Sequence, residues 1–196
     1  MRILILNASP KADGTIGRMM DAAGKIAAEQ GTKVDVCRLD VRPCTGCMAC
    51  RKTGNCILPP DDAHRIARML PRVDLLVVGT PVYWANMNGQ LKVLFDRLVP
   101  VFMGESRRGF PQGRLRGVRA IVVTACSTPF PFDRLFGQSG GAQRAVKEVL
   151  RTAGMRVSSI RIAGTKYQSR VPGRAIARLE RLMLRALAST KRGSAL

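Results

Sequence analysis

The sequence predicts a doubly wound α/β protein of three layers, α/β/α, and three observations carry that prediction. Short apolar runs recur along the 196 residues, stretches with helical spacing separate them, and glycines or capping acids stand at several boundaries. The runs are Ile3 to Leu6, Val34 to Leu39, Val73 to Val78, Val118 to Thr124 and Val157 to Ile162. They are almost continuously apolar, as expected of strands covered on both faces, whereas a strand with one wet face alternates. The helical stretches are Ile16 to Gln30, Ala63 to Leu70, Leu91 to Val99, Ala142 to Ala153 and Ile176 to Leu187. Strands joined by helical crossovers form a parallel sheet, so the class is doubly wound. Asp61 or Asp62 is placed to cap the second helix and Ser139 precedes the fourth. Gly31 and Gly154 stand where the first and fourth helices end.

Length and composition bound the rest. A chain of 21.4 kDa is expected to form a single domain over residues 1–196. No apolar run approaches the roughly 18 to 20 residues of a membrane helix, and the N-terminal run stops at Asn7, too soon for a signal peptide. A cytoplasmic location is therefore expected, and six cysteines read as thiols or metal ligands before disulfides. The net charge is +20, but arginine outnumbers lysine 25 to 8 and is spread along the whole chain. No DNA- or RNA-binding motif accompanies it, so a nucleic-acid partner is not expected.

Two inserts interrupt the alternation. One is the cysteine loop from Pro43 to Pro60, and the other is the Gly- and Arg-rich stretch from Phe102 to Gly117. Cys44, Cys47, Cys50 and Cys56 have the spacing C-x2-C-x2-C-x5-C, with Gly46 and Gly54 to let the backbone wrap. Four thiolates so spaced suit a [4Fe-4S] cluster. Zinc is a second reading, although its four-cysteine sites usually use two separated pairs, and metal-free redox thiols are a third. Cys37 reads as a small hydrophobe of the second strand, and His64 as a helix or surface residue without a catalytic partner.

Two loops carry binding chemistry. The first strand runs into Asn7-Ala8-Ser9-Pro10-Lys11-Ala12-Asp13-Gly14-Thr15 and then a helix, a position where backbone N–H groups and hydroxyls cradle phosphate. An ordinary turn uses the same residues, and the dinucleotide and P-loop fingerprints are absent. The third strand leads to Pro81-Val82-Tyr83-Trp84-Ala85-Asn86, which holds the only Trp. Both loops belong at the carboxyl ends of strands near the switch in strand order, where such folds bind ligands.

Together, the first-strand segment Ile3 to Lys11, the cysteine segment ending in Asp61-Asp62, and Thr80 to Lys92 with Phe95-Asp96-Arg97 are similar to the NADPH-dependent FMN reductase family. Within it they resemble the iron–sulfur flavoprotein branch. The resemblance implies a flavodoxin-like fold, with a five-stranded parallel sheet in the order 2-1-3-4-5. It implies that Ser9, Lys11, Gly14 and Thr15 hold the FMN phosphate. It further implies that Pro81, Val82, Tyr83, Trp84 and Asn86 line the isoalloxazine. A third flavin segment is implied at Thr124-Ala125-Cys126-Ser127, where Cys126 stands in place of a common glycine. The implied activity is an NAD(P)H-dependent, FMN-containing oxidoreductase of the flavin or quinone reductase kind. Its donor is a reduced nicotinamide or an acidic ferredoxin-like protein, its acceptor is a small molecule, and it assembles as a homodimer or homotetramer. No dedicated acid–base residue is expected, since FMN does the chemistry. Alternatives are a non-enzymatic electron carrier and a cysteine-based redox sensor that binds a macromolecule through its basic surface. The basic stretch from Arg174 to Arg192 reads as a last helix packed on the sheet.

Overall fold

The computed structural model describes residues 2–168 and 170–193, with no account of the side chains of Tyr167 and residues 189–193. The elements begin with β1 (Ile3–Asn7), α1 (Thr15–Ala27), β2 (Gly31–Asp35), α2 (Ala49–Thr53) and α3 (Asp62–Met69). There follow β3 (Leu75–Pro81), α4 (Gly89–Arg97), α5 (Val99–Phe102), β4 (Met103–Glu105) and β5 (Pro111–Gly113). The chain then forms β6 (Arg119–Ala125), α6 (Phe132–Leu135), α7 (Gln138–Thr152), β7 (Arg156–Ile162) and α8 (Gly173–Gly193). Five strands pair in parallel in the order β2-β1-β3-β6-β7, while β4 and β5 form a separate antiparallel hairpin. With that hairpin set aside, the order is the 2-1-3-4-5 of the flavodoxin-like fold.

The central strands are buried on both faces. Leu4, Leu6, Leu76, Val78 and Val122 pack with Ile66 of α3, Leu91 and Leu94 of α4 and Val146 and Leu150 of α7. Ile3, Ile5, Leu75, Val77, Ile121 and Val123 pack with Met19 and Met20 of α1 and Leu179 and Met183 of α8. Each fully buried aliphatic side chain of this kind contributes roughly 1.5 to 3 kcal/mol. The buried stripe of α8 places it on the sheet, as expected; the side chains at the far end of the Arg174 to Arg192 stretch lie outside the described residues. No helix among the described residues is long and apolar enough to cross a membrane.

Several boundaries differ from expectation for identifiable reasons. The second strand lies at Gly31–Asp35, not Val34 to Leu39. As an edge strand it pairs only with β1, which ends opposite Asp35, so the chain curls into a 3-10 turn at Val36–Arg38. Cys37 sits on that turn, half-buried, with its sulfur 3.9 Å from Asn88 Nδ2. Gly31 does not terminate α1; it is extended, with φ −104°, and Ala28 makes the turn at φ +48°. Glycine is needed at 31 because a Cβ would stand 2.6 Å from that of Ala27. Gly154 does follow α7 in the left-handed region, φ +88°. Ser139 lies inside α7, which starts at Gln138, and its buried hydroxyl donates to Asp133 Oδ2 at 2.5 Å. The stretch Leu91 to Val99 belongs to α4 and α5, divided at Leu98, just ahead of Pro100, which has no N–H to continue the ladder.

Candidate functional site

Because β1, β3 and β6 are the three central strands, the loops leaving their carboxyl ends lie side by side. The first is tied back by Asn7, whose Nδ2 donates to Asp35 Oδ1 at 2.9 Å and whose Oδ1 accepts from the Ser9 N–H at 3.2 Å. The Ser9 hydroxyl is used within the loop. It accepts from the Lys11 N–H at 3.2 Å and donates to the Lys11 carbonyl at 3.0 Å. Lys11 is exposed, and Gly14 precedes the first turn of α1, where no side chain caps the helix and no acid is present. The N–H groups at the positive end of α1, beginning at Thr15, are thus open to an anion. Gly17 shapes this cradle, since a Cβ there would stand 1.9 Å from the Ala12 carbonyl oxygen. The phosphate-loop reading of the sequence does not include Gly17; its signal is a glycine inside the first turn of an otherwise regular helix.

The second loop is fastened to the third. Val82 N–H donates to the Ala125 carbonyl at 2.9 Å, and Tyr83 and Asn86 exchange backbone hydrogen bonds at 3.0 and 2.9 Å. Between them Trp84 and Ala85 both have positive φ, +50° and +56°, the pattern of a type I′ turn, which normally calls for glycine or asparagine. Pro81 ends β3, and the Asn86 side chain caps the neighbouring Met87 N–H at 2.8 Å. Trp84 is fully exposed and Tyr83 46% exposed, so neither belongs to the core. Gly141 of α7 lies against this turn: a Cβ there would meet the Ala85 carbonyl oxygen at 2.2 Å.

In the third segment the side chains of Thr124 and Cys126 are turned inward, so what these two residues can present to a ligand is their backbone. Thr124 is wholly buried, and the Cys126 thiol, 2% exposed, lies 3.3 Å from Gln138 Oε1. The strand continues its ladder through Cys126, whose N–H donates to the Ile162 carbonyl, and this keeps alternate side chains inside. Ser127 carries the exposed side chain of this segment.

The four clustered cysteines stand elsewhere, against the end of α4. Cys44, Cys47, Cys50 and Cys56 all line one cavity of ≈ 30 Å³, together with Met48, Ile57, Leu58, Asp96, Arg97 and Pro100. Among the described residues no three His, Cys, Asp or Glu side chains are close enough to share one metal ion. A cavity of this size is smaller than a four-iron cluster, so the four thiols as placed here do not enclose one. Burial and the neighbouring Cys56, Cys44 and Cys47 push the Cys50 thiol up from its ordinary pKa.

Arg97 organises this loop. Its side chain is 0% exposed, and Nη1 donates to Asp61 Oδ2 at 2.6 Å and to the Arg42 carbonyl at 2.7 Å, while Nε donates to Cys56 Sγ at 3.2 Å. One guanidinium thus joins the chain before the cysteines to the last cysteine and to the cap of α3. Asp61 is that cap, accepting from the Ala63 N–H, and His64 completes a capping box by accepting from the Asp61 N–H. Burial works to raise the Asp61 pKa, but hydrogen bonds from the Arg97 guanidinium and the Arg42 N–H outweigh it and hold the carboxyl below its ordinary value. The other His64 nitrogen lies 3.2 Å from the Cys56 carbonyl, so His64 is a helix residue that also touches the cysteine loop. Arg97 is readable in retrospect as a charge one position from the apolar stripe of Leu91, Leu94 and Leu98.

The model of the NADPH-dependent FMN reductase family matches residues 1–131. The chain belongs to this family. An iron–sulfur flavoprotein of Methanocaldococcus jannaschii is 30% identical over 107 residues, 53% of this chain and 55% of that protein. An iron–sulfur flavoprotein of Methanosarcina thermophila is 34% identical over 102 residues, 50% of this chain and 53% of that protein. The chain thus spans about half the length of the curated relatives it matches. In fold, it is similar to an FMN-dependent NADH-azoreductase from Bacillus anthracis solved in complex with FMN. That likeness has a TM-score of 0.71 and 16% identity, over 94% of this chain and 99% of the other.

Proposed function

We propose that this flavodoxin-like chain is an FMN-dependent NAD(P)H oxidoreductase that acts on a small-molecule acceptor. The observation that carries the reading is the strained turn at Trp84 and Ala85, where Trp84 is fully exposed, in a loop hydrogen-bonded across to β6 and next to the loop that leads to an uncapped helix N-terminus. Strain of this kind persists at ligand sites because the surrounding structure over-determines it. The residues fit FMN: the open first turn of α1 with Gly14, Thr15 and Lys11 receives the phosphate, and Ser9 stiffens that loop through its two bonds to Lys11. Pro81, Val82, Tyr83, Trp84 and Asn86 flank the isoalloxazine, with Ser127 and the backbone at 124–126 on the far side. When bound, FMN supplies an acceptor and donor of electron pairs. The chain contributes placement, exclusion of water by Tyr83 and Trp84, and charge, and it needs no acid–base side chain.

Cys44, Cys47, Cys50 and Cys56 hold a [4Fe-4S] cluster in this reading. The support is their convergence on one cavity with an apolar wall and the Arg97 hydrogen bond to Cys56, which suits an anionic centre. The exposed residues Phe130, Phe132, Leu135 and Phe136 beside the flavin loops support a homodimer or homotetramer, since a second copy would cover them.

Anaerobic purification tests both parts. One FMN per chain, about four irons per chain and steady NADPH oxidation are expected. A colourless protein that FMN cannot reconstitute ends the flavin reading. Yellow protein with zinc or no metal ends the cluster reading alone, and bound FMN without NAD(P)H turnover leaves an electron carrier.

A further inference from the structure

Beyond the flavin loops, at the β7 edge of the sheet, four arginines surround a cavity of ≈ 390 Å³: Arg134, Arg161, Arg174 and Arg178. A second cavity of ≈ 250 Å³, also lined by Arg161, Arg174 and Arg178, continues from it between β7 and α8. Asp133 is the only carboxylate lining either cavity among the described residues. It is wholly buried, with one oxygen engaged by Ser139 and the other, Oδ1, without a hydrogen-bond partner. None of the four guanidiniums forms an ion pair among the described residues. Arg161 reaches Gln143 Oε1 at 3.4 Å, Arg178 donates to the Ser159 carbonyl at 3.2 Å, and Arg134 lies over the Phe130 ring at 5.4 Å. Excess positive charge held at the mouth of one concavity raises the local concentration of anions, and planar guanidiniums bind phosphate bidentately.

We propose that this arginine cavity is a second phosphate site, which takes the phosphate groups of the reduced nicotinamide dinucleotide. It rests on the oxidoreductase reading and names where that reading's donor is held. The FMN phosphate cannot be its occupant. The phosphate loop follows β1, and β3 and β6 stand between β1 and β7, which separates the two sites by about 14 Å at the usual strand spacing. The cavity does adjoin the third flavin segment: the Gly164 N–H after β7 donates to the Thr128 carbonyl, and the Thr165 N–H to the Cys126 carbonyl. A dinucleotide whose nicotinamide lies against the 124–127 segment has this arginine cavity next to it, on the β7 side.

The test is equilibrium binding of adenosine 2′,5′-bisphosphate and of ADP, by titration calorimetry, to the intact chain and to Arg161→Gln and Arg178→Gln. Binding about tenfold or more weaker in each variant, with a shallower salt dependence, is expected. A larger loss for the 2′,5′-bisphosphate assigns the 2′-phosphate to the cavity, and an equal loss assigns the pyrophosphate; either supports the site. Binding of both probes unchanged in both variants overturns it, as does unchanged probe binding with slower reduction by an acidic ferredoxin, which would make the surface a protein-docking patch. FMN content is measured alongside. A chain that takes no FMN but loses probe binding in the variants refutes the oxidoreductase reading and leaves the phosphate site standing.

Discussion

The loops at the carboxyl ends of β1, β3 and β6 and the cysteine loop at the end of α4 are held in opposite ways. The three strand-end loops are extensions of the sheet: the Ala8 N–H donates to the Gly79 carbonyl, Val82 to Ala125 and Cys126 to Ile162, so backbone bonds set where they start, and side chains such as Asn7 and Ser9 add only local ties. The cysteine loop has no strand to extend. It is gathered by side chains, chiefly one buried guanidinium that reaches Arg42, Cys56 and Asp61. The difference teaches where each region is vulnerable, since a backbone scaffold fails by steric intrusion and a side-chain clamp fails by loss of a single residue.

The clamp should break hardest. Arg97→Met leaves Asp61 buried without its cation and removes the donor to Cys56, which is expected to cost about 3 to 5 kcal/mol at neutral pH. The pH dependence carries the sign. Asp61 has a folded pKa below its ordinary value, so its contribution in the parent is full above about pH 4 and lost as the pH falls through the depressed value. In the variant the same carboxyl, uncompensated, is relieved by protonation. Urea unfolding at pH 7 and near pH 3.5 should therefore show the gap between variant and parent narrowing in acid. An equal gap at both pH values would mean that Arg97 acts through packing and not through its charge. Iron content should fall with the variant if the cluster is present.

The backbone scaffold should be damaged less, and locally. A Cβ at position 17 would stand 1.9 Å from the Ala12 carbonyl oxygen, an atom of the main chain that cannot turn aside as a side chain can. Gly17→Ala is expected to cost about 1 to 3 kcal/mol as the loop is forced off the helix, and FMN should bind more weakly while iron content stays unchanged. FMN affinity equal to the parent's would show that the phosphate loop does not depend on its close seat on α1.

The same contrast explains what was legible in the sequence. The central strands were readable because burial on both faces leaves an unbroken apolar run, as in Leu75 to Val78. The edge strand β2 was misplaced because its length depends on where its partner β1 stops, a tertiary fact that no local pattern records. The loops at the carboxyl end of the sheet were legible in position, since Ser9 to Thr15 and Pro81 to Asn86 each follow a strand, but the inward direction of Thr124 and Cys126 follows from a ladder that continues past the apolar run. The cysteines announced themselves by spacing, whereas Arg97, 41 residues from Cys56 and 55 from Arg42, carried no signal of its reach.

The smallest effect sharpens the comparison most. Ala85 sits at φ +56° in the turn beneath Trp84, a region that costs an L-residue roughly 1 to 2 kcal/mol, while glycine there forfeits about 0.5 to 1 kcal/mol of chain entropy. Ala85→Gly is therefore expected to stabilise the chain by about 0.5 to 1 kcal/mol, read as a rise in thermal midpoint of the FMN-free protein. If the strain serves the ligand, the relaxed turn should hold Trp84 less firmly and FMN should bind more weakly despite the gain in stability. Tighter binding together with higher stability would mean that the turn is set by its backbone bonds alone and that the strain at Ala85 does nothing for the site.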